Sequence, residues 1–254
     1  MLLPVMDSDV LIDAVALSRR FARRTALADV SFRASRGESV AVLGPNGSGK
    51  STLLRLLAGV LAPTSGALRV AGHDPEDGRP AMRRRIGWLP ENPSFPREMR
   101  VLEYLKYRAA LKGLPARLAA TQVRVVVAQC ALAECARSLL GTLSRGSLRR
   151  VGIADALLGE PDILLLDEPQ AGLDHSARAV LAEWISAVAQ TRRLVLFSSH
   201  LLDESSRLAS RALVLCDGRL AADLPLQNGC LPTGEPLPAA YPRLVAPSRE
   251  RRAP

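Results

Sequence analysis

The chain has 254 residues, 48% of them apolar, and 34 basic side chains against 25 acidic ones give a net charge of +9. That apolar content supports a sizeable core, which excludes a disordered, collagen-like or disulfide-scaffold chain. A membrane-crossing helix needs ~20 apolar residues in a row; the longest runs, such as 56–68, are shorter and broken by Gly and Pro, so the chain is not expected to cross a membrane itself.

The first residues, Met1-Leu2-Leu3-Pro4, reach Asp7 without a basic start and a long apolar run, so no signal peptide is expected. Residues 9–43 read as short strands with turns. The last of them, Ser39-Val40-Ala41-Val42-Leu43, is a compact apolar run that reads as a buried strand. Residues 44–49 form a loop, 51–59 a helix, 67–70 a strand and 72–80 a loop. Leu102, Leu105, Ala109 and Leu111 recur at helical spacing, Gly113 to Pro115 break the pattern, and 116–137 read as a second helix despite Val125-Val126-Val127. The apolar runs 163–166 and 194–197 flank a helical segment, 176–190. Strand, helix, strand implies parallel pairing and an α/β fold. From Pro225 onward there are seven prolines in thirty residues, so 224–254 is expected to be a flexible extension outside the core.

Only three of the basic residues are lysine (Lys50, Lys106, Lys112). The arginines fall in short groups, at 19–24, 83–85, 149–150 and 249–252. A nucleic-acid surface would interleave aromatics, which are 4% here. The bias is read as compositional, and no direct nucleic-acid contact is expected. Cys130, Cys135, Cys216 and Cys230 show no CxxC pairing and no nearby histidine, which fits a reduced, cytoplasmic compartment and no metal held by cysteine.

Gly44-Pro45-Asn46-Gly47-Ser48-Gly49-Lys50-Ser51 matches G-x-x-x-x-G-K-[ST] in full, between a strand and a helix. Glycines let the backbone curl so that several N–H groups point inward, and the helix aims its positive end at the same point. Lys50 adds a full charge for β and γ phosphates, and Ser51 is a ligand for Mg2+. Downstream, Ile163 to Leu166 end in Asp167-Glu168. Asp167 is the expected Mg2+ partner, and Glu168 the group that orients or deprotonates an attacking water.

With these residues in place, the chain resembles the nucleotide-binding subunit of ABC transporters over roughly 10–223. Leu143-Ser144-Arg145-Gly146-Ser147 is similar to the family's LSGGQ signature, with Ser144 and Gly146 at its second and fourth positions. Leu166-Asp167-Glu168-Pro169 follows, then Ala171-Gly172-Leu173-Asp174 resembles the D-loop with Asp174 as its acid. Ser198-Ser199-His200 ends a strand as the switch histidine does, and Phe21 stands where an aromatic stacks on adenine. The resemblance implies an ATPase domain over 9–223. Its P-loop NTPase (RecA-like) core has a parallel sheet, an N-terminal antiparallel β subdomain and a helical subdomain inserted at about 92–150.

It implies ATP and Mg2+ as ligands, with the loop from Gly44 through Thr52 on the phosphates and Ser51, Glu91 and Asp167 around the metal. Two subunits, identical or not, would pack head to tail with each ATP between one loop and the partner's signature. Their hydrolysis cycle would drive a separate transmembrane permease from the cytoplasmic face of the membrane, in the direction of export. Residues 92–113 would dock that permease, and 86–105 look like the branch serving multidrug, polysaccharide or gliding-type exporters. Two other classes share these motifs: a soluble ABC-type ATPase acting on nucleic acid or ribosomes, and a catalytically silent regulatory subunit. One cassette and a short insert speak against the first; Glu168 and His200 speak against the second. Three departures stand out. Glu91 replaces the family's usual glutamine, Arg145 and Ser147 replace a glycine and a glutamine of the signature, and Gln170 replaces a common threonine, from which little effect is expected.

Overall fold

The computed structural model describes residues 9–75, 79–173 and 175–246. Two long strands, β1 (Val10–Phe21) and β2 (Arg24–Ser35), pair antiparallel and are joined by β4 (Ser65–Val70) in a three-stranded sheet ordered β2-β1-β4. The sequence suggested several short strands here. The ladder instead carries register shifts inside two continuous 12-residue strands, which bend them without ending them.

A second sheet has the order β5-β6-β7-β3-β8-β9, with β3 (Ser39–Leu43), β5 (Ile86–Leu89), β6 (Ile163–Leu166), β7 (Leu194–Ser198), β8 (Arg211–Cys216) and β9 (Arg219–Pro225). All its pairings are parallel except the edge pair β8–β9. Because side chains alternate across a strand, each central strand feeds two cores. Val40, Val42, Ile163, Leu165, Leu194 and Leu196 face the core shared with the antiparallel sheet and α1 (Lys50–Leu57). Ala41, Leu43, Leu164, Leu166, Val195 and Phe197 face the core shared with the remaining helices. This alternation explains why the strands read as unbroken apolar runs: both faces are covered.

The helical insert comprises α3 (Val101–Leu111), α4 (Ala116–Gln129) and α5 (Arg145–Leu157), and α2 (Arg79–Arg84) precedes it. The expected loop at 72–80 is therefore shorter, since α2 begins at Arg79; residues 76–78 lie outside the described residues. α4 stops at Gln129, short of the expected 137. Ala131 takes a left-handed φ of 49°, Ala131 N–H donates to Ala128 O at 3.1 Å, and Leu132 N–H to Val127 O at 2.9 Å. This is a Schellman ending with alanine in the place glycine usually takes, so composition gave no sign of it.

Beyond β6 come α6 (His175–Gln190) and α7 (Leu202–Leu208). The proline-rich stretch is not outside the core. Leu226 N–H donates to Ser210 O at 2.8 Å, and α8 (Leu237–Val245) lies against α7 and β8 with Leu237 and Ala240 buried. Prolines at a helix start need no N–H partner, and Pro236 and Pro238 sit there. The proline count, which points to a flexible extension, here includes two prolines that mark a helix start.

Candidate functional site

The loop between β3 and α1 is shaped by backbone that only glycine adopts freely. Gly49, the residue before α1, has φ 106°, and a Cβ there would stand 2.6 Å from Leu27 Cδ2 and 2.7 Å from Ala26 O. The loop is thus pressed against β2, and this contact brings the β1–β2 hairpin to the same cavity. Lys50 is buried, and its Nζ donates to Gly44 O at 2.9 Å and Pro45 O at 3.2 Å. Ser48 is buried beneath the loop. Gly44, Pro45 and Ser48 form its back, while Asn46, Gly47, Gly49, Lys50, Ser51 and Thr52 face a cavity of about 820 Å³.

Phe21, Arg24 and Ala26 form one wall of that cavity, and Glu91, Glu168, Ala171 and His200 the other. Phe21 is 42% exposed at the end of β1, with the Arg19 guanidinium 4.7 Å from its ring centre.

The acidic pair is held by neighbouring strand ends. β6 and β7 are adjacent and parallel, so Asp167, Glu168 and Ser198 emerge together. Asp167 is fully buried. Its Oδ1 accepts from Ser198 Oγ at 2.7 Å and from Ser51 Oγ at 3.1 Å. Its Oδ2 is buried without a hydrogen-bond partner, a costly state for a carboxylate oxygen. One orphaned oxygen beside a serine hydroxyl is the hard-oxygen donor set that suits Mg2+. Among the described residues no group of three or more His, Cys, Asp or Glu could hold a metal unaided. A cation here would draw its remaining ligands from phosphate oxygens and water.

Glu168 sits at φ 49°, a strained setting for a non-glycine residue. Its N–H donates to Ser198 Oγ at 2.8 Å, and its Oε2 lies 2.7 Å from His200 Nδ1, which donates to the carboxylate. Ser198 therefore braces both acids: its oxygen accepts from the Glu168 backbone while its hydrogen goes to Asp167.

Ser144 caps α5, its Oγ accepting from Ser147 N–H at 3.2 Å, with Arg145 and Gly146 in the first turn. Ser144 and Gly146 do not line the phosphate-loop cavity. They line a separate one of about 520 Å³, with Leu181 and Trp184 of α6. Within one chain the signature-like residues and the phosphate loop stay apart. Asp174 lies outside the described residues.

Three contributors were missed in the sequence. Arg24 enters the cavity wall beside Phe21; nothing distinguishes it from the other three arginines of 19–24. Ser198 was read only as part of a strand end, and its role depends on β7 lying next to β6. Arg149 is 4% exposed behind the acidic pair, with burial lowering its pKa against the opposing pull of Asp167, Glu168 and Glu91. Gln170, from which little was expected, is buried and within 3.3 Å of Ser199 Oγ, which donates to Gln170 Oε1.

The family model described as ABC transporter matches residues 27–171. An uncharacterised ABC transporter ATP-binding protein of Bacillus subtilis strain 168 is 34% identical over 206 residues, 81% of this chain and 68% of the relative. A daunorubicin resistance ATP-binding protein of Streptomyces coeruleorubidus is 33% identical over 216 residues, 85% of this chain and 68% of that one. A solved ATP-binding subunit of an ABC transporter superposes with TM-score 0.83 at 29% identity, over 92% of this chain and 99% of the other.

Proposed function

Since the chain belongs to the ABC transporter family as an ATP-binding subunit, we propose that the 44–52 cavity is where it hydrolyses ATP to drive export through a separate permease. The observation that carries this is the Glu168–His200 contact at 2.7 Å on the wall facing the phosphate loop.

In this reading the loop N–H groups and the positive end of α1 receive the triphosphate. Lys50 exchanges its two carbonyl acceptors for β- and γ-phosphate oxygens, a charge-assisted contact stronger than the one it gives up. Phe21 stacks on the adenine, with Arg24 alongside. Asp167 and Ser51, with Glu91 near them, hold Mg2+, which when bound neutralises charge on the phosphates. Glu168 aligns the attacking water and accepts its proton, and His200 fixes the carboxylate's orientation.

Ser144 and Gly146, which lie outside the phosphate-loop cavity of their own chain, serve the γ-phosphate of a second copy or of a related subunit, so ATP joins two chains and hydrolysis releases them. The permease binds through residues 92–113. Among the described residues no helix is long and apolar enough to cross a membrane, which fits a subunit acting on a partner that does. Export is the direction this reading takes, supported by a relative from Burkholderia thailandensis, 32% identical, that is named a Nod factor export ATP-binding protein. Residues 9–223 are the ATPase domain, and the folded 224–246 segment is an appendage to it.

The test is the Glu168→Gln protein with Mg-ATP, measured by size-exclusion chromatography with light scattering. The expected mass is twice the 27.2 kDa of the chain. A protein that binds ATP yet stays monomeric refutes the shared-site mechanism. A tagged pull-down from solubilised membranes is expected to bring a polytopic membrane protein. Ribosomal proteins or nucleic acid without one would overturn the transport reading and leave the ATPase chemistry intact. Lys50→Ala is expected to abolish nucleotide binding, and retained micromolar affinity would remove the loop from the mechanism.

A further inference from the structure

Arg149 lies on α5, one turn beyond the capping Ser144. Its guanidinium reaches five backbone carbonyls. Nε donates to Pro169 O at 3.3 Å; Nη1 donates to Pro90 O at 3.0 Å and Glu91 O at 2.6 Å; Nη2 donates to Asp167 O at 2.5 Å and to Glu168 O. A guanidinium has five N–H bonds, so every donor is used. All five acceptors are main chain, from two segments that begin where β5 and β6 end. Among the described residues no carboxylate is bonded to it, so the charge is buried without a direct ion pair there, an arrangement that disfavours the fold unless every donor is satisfied.

Two of those carbonyls belong to residues that line the ATP cavity, Glu91 on one segment and Glu168 on the other, and a third to the buried Asp167 beside Glu168. The strained φ of Glu168 has a physical anchor here, because the carbonyl side of that residue is held by Arg149 and its N–H side by Ser198. The helix that carries Arg149 also carries Ser144 and Gly146. Any rotation or shift of α5 therefore pulls on the main chain of all three acids.

We propose that Arg149 is a positioning residue that locks the acids of one ATP site to the helix whose first turn serves the other site, so that the two sites of a dimer are coupled through it. This rests on the shared-site reading above. A flexible lysine has three donors and no planar fork, so it can satisfy part of the network; glutamine has two donors and no charge.

The test compares wild type, Arg149→Lys and Arg149→Gln for ATP affinity, kcat, Hill coefficient and thermal unfolding. Displacing a catalytic group by ~1 Å costs on the order of 100-fold in rate. Arg149→Gln is expected to lose about 100-fold in kcat, with the ATP dissociation constant within about threefold of wild type, because the Lys50 side of the cavity is untouched. Arg149→Lys keeps the charge and is expected to fold and to recover part of kcat, while the Hill coefficient for ATP falls from above 1 in wild type to 1.

An Arg149→Lys protein with wild-type kcat and Hill coefficient overturns the proposal. So does a parallel loss of ATP binding and of folding in Arg149→Lys, which marks a purely structural role, and so does a wild-type Hill coefficient of 1. Failure of the shared-site reading is read separately, from a Glu168→Gln protein that remains monomeric with ATP while Arg149 is intact; that result removes the coupling with it.

Discussion

Asp155 on α5 is the hub of a second buried polar cluster, and its removal is the sharpest stability test the structure offers. The residue is 7% exposed. It accepts from Tyr104 Oη at 3.0 Å and from Arg108 Nε at 3.0 Å, both on α3, and Lys112 Nζ stands 3.8 Å away. Lys112 also donates to the main-chain carbonyls of Asp155 and Leu158, closing the cluster around the end of α5. Asp155→Ala strands a buried phenol and two cations. Breaking a buried ion pair by deleting one partner costs about 3–5 kcal/mol. The Arg108 side chain is 38% exposed and turns to solvent, so its share is discounted. What remains is the Tyr104 hydroxyl, at about 1–3 kcal/mol, and part of the Lys112 charge.

The expected loss is therefore about 3 kcal/mol. In a chain of this size that lowers Tm by about 6–12 °C. Urea unfolding is the assay, with a lower midpoint and an unchanged slope as the signature of a native-state effect. Tyr104→Phe alone is expected to cost about 1 kcal/mol, and the double variant less than the sum, because the two share one bond. A loss under about 0.5 kcal/mol for Asp155→Ala refutes the view that this carboxylate holds α3 to α5.

The same cluster carries a pH signature. Burial depresses the Lys112 pKa to about 8 from 10.5, despite the opposing pull of Asp155. Between those values the unfolded chain binds the proton and the folded chain does not, so stability attributable to Lys112 rises as pH goes from about 8 to 10.5, by up to about 3 kcal/mol. The stability difference between wild type and Lys112→Met should follow that window; a difference independent of pH would contradict it. Leu237→Ala, at a fully buried position of α8, is expected to cost about 2–4 kcal/mol, and a neutral result would restore the segment to a loose extension. Glu91→Gln is expected to preserve or raise ATP turnover, since an amide removes negative charge beside the phosphates; abolished turnover would assign the carboxylate a specific role at the metal.

The phosphate loop, the acid pair and the end of β7 were legible because each is contiguous. A strand that stops at glycine, a lysine and a serine six and seven residues on, and two acids after four aliphatics are local patterns with local physical causes. The parallel sheet was legible for the same reason, since a βαβ stretch leaves few ways to pair its strands. The misreadings were also local. Ala131 took a conformation that composition ascribes to glycine, and prolines at 236 and 238 start a helix where a count of prolines suggested none.

Which residue types stand where a nucleotide's phosphates would be held was thus determined by the sequence alone, because backbone curl, helix polarity and a single lysine act within eight consecutive residues. Only the tertiary structure decided which arginine of the pair 149–150 is buried, that Ser198 bridges Asp167 and Glu168, that Gln170 meets Ser199, and that Asp155 gathers α3 against α5. Each of these joins segments far apart in the chain through the packing of α5 and β7 beside β6. Burial at such positions depends on what the rest of the chain places opposite them, and no window of sequence contains that information.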